Sequence, residues 1–154
     1  IASNVLGSSA ASVTFSSIPA TYRDLVLVME TTPASTGYLR ARLNSDTGSN
    51  YSAVVASGDG TDTRSGSFTQ AFLNFWIFGE EVSTAKTIHR IQFFDYATTD
   101  KHKSILTRHD RGNYQTAMQA MRWASTSAIN SIQIFYDSPN IASGSTFYLY
   151  GISA

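Results

Sequence analysis

A chain of 154 residues fits one domain, long enough to bury roughly two-thirds of the surface that its unfolded form exposes. Only 14% of the residues are charged, 11 basic against 11 acidic, so the cationic excess that a nucleic-acid binder needs to neutralise phosphates is missing. The absence of cysteine removes disulfides, thiolate metal sites and thiol chemistry together, while 42% hydrophobic and 12% aromatic content argue for a packed core rather than disorder.

From Ile1 to Ala11 the residues are small and polar, with Val5 and Leu6 as anchors, which predicts an N-terminal arm or weak first strand over residues 1–12, ahead of a β-sandwich domain over 13–154. The start carries neither the basic nor the apolar region of a signal peptide, and no apolar run approaches the roughly 20 residues of a membrane span. Ser12–Phe15 alternates, Ile18-Pro19 breaks the run, and Asp24–Glu30 is an almost continuous apolar run rich in β-branched residues, as a central strand buried on both faces would be. Pro33–Gly37 reads as a loop, Tyr38–Leu43 alternates again, Asn44–Asn50 is rich in turn formers, and Tyr51–Ser57 is a further short strand.

Gly58–Gly66, without an apolar anchor, predicts an exposed loop. The aromatic stretch Phe68–Phe78, which places Trp76 in the core, favours a strand over a short helix. Ile88–Tyr96, Ser104–Arg108, Thr116–Ala124 and Ser131–Tyr136 add four strands, separated by Thr98–Asp100, His109–Asn113 and Ser125–Ser127. After Pro139-Asn140 and a Gly144-Ser turn, Phe147 and Leu149 alternate with Tyr148 and Tyr150 in a closing strand. Eight to ten short strands at this spacing predict an all-β, antiparallel β-sandwich of jelly-roll type in a single domain, with no internal repeat.

Catalytic and metal signatures are missing. Nucleophilic hydrolysis would draw its base from His89, His102 or His109; Ser104 lies near His102 and Asp100, but no nucleophile elbow surrounds it. Asp46, Asp59 and Asp62 are oxygen donors without the spaced acids and terminal glutamate of a calcium loop. Glu80-Glu81 reads as a turn rather than a glycosidase pair, and Gly58-Asp-Gly60 leads into no phosphate cradle. No catalytic residue, cofactor or metal is therefore assigned, and the chain is read as non-enzymatic.

Aromatic and arginine side chains are the remaining candidates, since they anchor protein interfaces and aromatic rings stack on sugars. Tyr148 and Tyr150 project opposite to Phe147 and Leu149, so one pair is free to face a partner. Arg40 and Arg42 share one side of their strand, and Trp123 beside Arg122 divides evenly between core and interface. Val5, Leu6, Arg40, Arg42, Trp123, Tyr148 and Tyr150 are the candidate interface residues.

Phe15–Pro19 with Tyr22–Leu27, Arg42–Ser52 and Gly144–Ile152, taken as a set and extended by Trp123–Ile129, resemble a family of tailed-phage virion proteins; the likeness is weakest from Asp59 to about Lys103. The resemblance implies a small β-sandwich structural module located in the virion, either a capsid decoration (cement) protein bridging major capsid subunits or a module of a tail appendage. It further implies a homotrimer, since such modules gather at the threefold axes of a shell, with the major capsid protein and other copies as partners and no nucleic acid or membrane. Members of that family carry several residues before the position of Ile1, and the resemblance implies the same for this chain. A receptor-binding or tail-fibre module holding host surface glycans is the alternative.

Overall fold

A computed structural model describes residues 1–75, 84–111, 115–138 and 140–153, apart from the side chain of Arg111. The described residues form twelve strands and no helix. Eight strands make one sheet in the order β1 (Ala2–Val5), β12 (Thr146–Ile152), β3 (Asp24–Thr31), β8 (Thr87–Phe94), β9 (Lys103–Arg111), β10 (Gln115–Trp123), β5 (Tyr51–Gly58) and β6 (Thr63–Gln70). Four make the other: β2 (Ser12–Phe15), β11 (Ile132–Tyr136), β4 (Leu39–Leu43) and β7 (Leu73–Asn74). Every pairing is antiparallel, and the fold is an all-β sandwich of jelly-roll type in a single domain.

The period-2 pattern explains the layers, because alternate side chains of a strand leave opposite faces of its sheet. Leu25, Leu27 and Met29 of β3, Ile91 and Phe93 of β8, and Phe147 and Leu149 of β12 meet Val13, Phe15, Leu39, Leu43, Ile132 and Ile134 of the smaller sheet in one continuous core. Burying each such side chain is worth about 1.5–3 kcal/mol, which makes this contact the main source of stability. β3 has the predicted mostly buried run, with only Val28 and Glu30 half-buried.

Three boundaries differ from the sequence reading. The expected loop Gly58–Gly66 is a tight β-hairpin: Asp59 to Asp62 make the turn, with the amides of Thr61 and Asp62 donating to Asp59 Oδ1 at 2.8 and 2.7 Å, and β6 starts at Thr63. β6 was invisible as a strand because polar residues occupy both of its faces. The aromatic stretch is not one strand but splits between sheets, Phe68 belonging to β6 and Leu73-Asn74 forming β7, while Trp76 and Glu80-Glu81 lie outside the described residues. His109 to Arg111, read as part of a separator, continue β9.

The N-terminal segment is the first strand of its own domain. Ala2 pairs with Leu149 and Val5 with Thr146, and the ammonium of Ile1 donates to the carbonyl of Leu149 at 2.8 Å. Near the other end of β12, Gly151 faces inward beneath the ring of Tyr22, which fills the space where a Cβ would stand. Gly151→Ala is therefore expected to lower stability by about 1–3 kcal/mol in urea titrations. Because the clash is with a single ring, the double variant with Tyr22→Ala should be no less stable than Tyr22→Ala alone.

Candidate interaction face

The smaller sheet covers the inner side of the eight-stranded sheet, and on the outer side rows of side chains run from strand to strand, exposed over much of their length but buried at Val26 and half-buried at Val28 and Gln92. Register sets these rows. Tyr148, Val28, Arg90, Arg108, Met118 and Ala56 are successive cross-strand partners from β12 to β5. Tyr150, Val26, Gln92, Leu106, Ala120 and Val54 form the next row.

Nine large apolar side chains stand exposed among the described residues, and all but Ile1 lie on this outer face: Val5, Val54, Ile88, Leu106, Met118, Tyr148, Tyr150 and Ile152. Single exposed apolar residues are ordinary, whereas a contiguous field of them marks a surface that something covers. Met118 is 56% exposed and Val54 59%, so more than half of each side chain's surface is open to solvent. The rings of Tyr148 and Tyr150 stack with centroids 6.5 Å apart. Between Tyr150 and Arg108 the face sinks into a groove of about 910 Å³, lined by Val26, Val28, Ile88 and Arg90 among others.

The interface candidates taken from the sequence divide. Val5, Tyr148 and Tyr150 are on the outer face, whereas Leu6 is half-buried and packs against the core. Arg40 and Arg42 lie on the far sheet and are half-buried: Arg40 pairs with Asp137 at 3.2 Å and sits 4.1 Å over the Phe72 ring, and Arg42 lies 4.7 Å over Phe135. Burial pulls the Arg40 guanidinium below its usual value, opposed by the Asp137 carboxylate. Trp123 is a core residue and not an interface one, only 2% exposed. The parity that directs Met121 inward directs Trp123 inward as well, where it stacks on Tyr51 and its indole Nε1 donates to Asp46 at 2.6 Å. Val54, Ile88, Arg90, Leu106, Arg108, Met118 and Ile152, which the sequence reading passed over, complete the face.

Other titratable groups serve the fold. His102, Ser104 and Asp100 are exposed and no hydrogen bond joins them into a relay. His89 and His109 are buried, their rings stacked with centroids 5.1 Å apart, out of reach of an external substrate. Lys103 is buried at the opposite end of β9 from His109, its Nζ donating to the carbonyls of Thr98, Lys101 and Thr126 at 2.6, 3.1 and 3.2 Å; burial lowers its pKa. Asp46 takes hydrogen bonds from Trp123, Asn50 and Gly48, which outweigh the raising effect of burial and hold its carboxyl below the usual range. No group of three or more histidine, aspartate or glutamate side chains gathers as a metal site among the described residues.

No family model and no curated protein matches the chain. Among solved structures it is similar to the galectin LEC-6 of Caenorhabditis elegans, at 8% identity over 96% of this chain and 95% of that one, with a TM-score of 0.42. A tetrameric galectin from the ball sponge Cinachyrella sp. is similar at 10% identity, 92% and 99% coverage and a TM-score of 0.42. An exo-inulinase from Aspergillus awamori is similar at 12% identity over 100% of this chain and 29% of that one, again with a TM-score of 0.42. The outward-facing residues are consequently judged on their own chemistry.

Proposed function

We propose that this chain is a non-enzymatic structural protein of a tailed-phage virion, acting as a capsid decoration (cement) protein that bridges and stabilises major capsid subunits. The observation that carries this reading is the gathering of eight exposed large apolar side chains on one face of a sandwich whose other described surfaces carry Ile1 alone. Such a face fits stable attachment to a protein surface, and the resemblance of Phe15–Pro19 with Tyr22–Leu27, Arg42–Ser52 and Gly144–Ile152 to tailed-phage virion proteins supplies the context. Bridging would act through buried area: a patch of about 800 Å² per partner is of ordinary size for a specific complex, and area buried across two shell subunits opposes their separation. A homotrimer around a threefold axis belongs to the same reading. Zero net charge suits close packing of many copies.

A second reading is a receptor-binding or tail-fibre module that holds host glycans, favoured by the exposed Tyr150, which lines the groove, and by Tyr148 stacked against it, since aromatic platforms take sugar rings. Copy number in purified particles separates the two. Quantitative protein staining should find hundreds of copies per particle for a decoration protein and only a few for an appendage; absence from particles overturns both.

A further inference from the structure

We propose that the outer face of the eight-stranded sheet, resting on its reading as a docking surface, is built for a protein partner that presents acidic side chains among apolar ones, with Arg90 and Arg108 as the paired receptor for a carboxylate. These two arginines are directly opposed across β8 and β9, in the middle of the apolar field. Like charges in directly opposed positions destabilise a sheet. Neither arginine takes part in any ion pair among the described residues.

Asp110 lines the same groove as the two arginines without forming an ion pair with them, and the other neighbouring carboxylates are engaged elsewhere. Glu30 pairs with Lys86 at 2.7 Å, Asp110 Oδ1 accepts from the amide of Ile88, and Asp24 accepts from Gln92 and the amide of Asp95. Two guanidiniums without an ion pair, carried on directly opposed strand positions, offer a fork that a carboxylate can bridge with charge-assisted hydrogen bonds. Charge also argues against a second copy in a two-fold, face-to-face arrangement, which would set this cationic centre against itself. An acidic glycan is disfavoured because the surround is chiefly aliphatic, with Val28, Ile88, Leu106 and Met118 offering little to a sugar hydroxyl.

Selection from a displayed library of random short peptides tests this, with the intact protein as target and Arg90→Glu as counter-target. The peptides retained should be rich in Asp and Glu set among Leu, Ile, Val or Phe, and should bind the Arg90→Glu and Arg108→Glu variants at least about tenfold more weakly, with affinity falling as salt rises. Arg90→Glu places a glutamate opposite Arg108, so its melting temperature should hold or rise, which separates lost binding from lost folding. Enrichment of basic or uncharged peptides, no enrichment at all, or equal binding to parent and variants overturns the proposal. So does binding of oligouronates but not peptides through the same arginines, or a parent dimer in sedimentation that Arg90→Glu dissolves. Acidic peptides captured by a protein absent from virions would leave this inference standing while removing the virion reading.

Discussion

Trp123→Ala is expected to lower the unfolding free energy by about 3–5 kcal/mol, read from the urea midpoint at constant slope. The indole is 2% exposed, its ring lies 6.4 Å from that of Tyr51 at an interplanar angle of 14°, and its truncation leaves a cavity at the end of β10. The loss extends beyond packing. Asp46, to which Nε1 donates, also accepts from the amide of Gly48 and the side chain of Asn50, while the Tyr51 hydroxyl bonds the amide of Leu43 and the carbonyl of Asp46. Together these bonds fix the passage from β4 in one sheet to β5 in the other, which begins at Asn44 and Ser45, both at positive φ. Trp123→Phe separates the two contributions: it keeps most of the buried ring and removes one charge-assisted bond, so its cost should be nearer 1.5–3 kcal/mol, about the value of such a bond. Were Trp123→Ala to leave the midpoint in place and weaken association instead, the indole would be an interface residue after all.

Legibility in the sequence followed the contrast between the two faces of each strand. β4 and β12 were plain because apolar and polar residues alternate there, and β3 because its apolar run from Leu25 to Met29 has no polar interruption. The same rule fails for β6, where Thr63, Ser65, Ser67 and Thr69 alternate with Arg64, Gly66, Phe68 and Gln70 and neither side declares itself. It also explains why most of the outer face escaped notice. In β9, Ile105 and Leu106 are adjacent and equally apolar, and only pairing with β8 and β10 sends one inward and the other out. Arg90 and Arg108 sit 18 positions apart, and nothing short of that register brings them opposite each other. Tyr148 and Tyr150 were found because Phe147 and Leu149 beside them had already claimed the interior.

Acidification is expected to destabilise the fold well above the range in which carboxylates titrate, through the buried histidine pair. His109 is drawn down from 6.5 to about 4 by burial, against a smaller raising effect of the Asp110 carboxylate. His89 is also lowered by burial, with the charge of His109 adding to it. Their surroundings offer little to an imidazolium: His89 Nε2 has the hydroxyl of Thr87 at 3.0 Å and the edge of Phe75, and His109 Nδ1 has the hydroxyl of Thr107 at 3.4 Å, while His89 Nδ1 and His109 Nε2 have no hydrogen-bond partner among the described residues. With folded-state values below unfolded ones, the unfolded chain binds more protons, so stability is fully present above about pH 6.5 and is lost as the pH falls toward about 4. For His109 alone the shift corresponds to about 3 kcal/mol, and His89 acts in the same direction. Asp46 and Asp95, whose carboxyls are held below their usual value, contribute only at lower pH, so the two kinds of group act in separate windows. Urea midpoints measured between about pH 7 and pH 4.5 should therefore fall steadily for the parent chain. The paired replacement His89→Gln and His109→Gln should flatten that slope while lowering stability near neutral pH by less than the parent loses on acidification; a slope that survives the double replacement would assign the acid sensitivity to other groups.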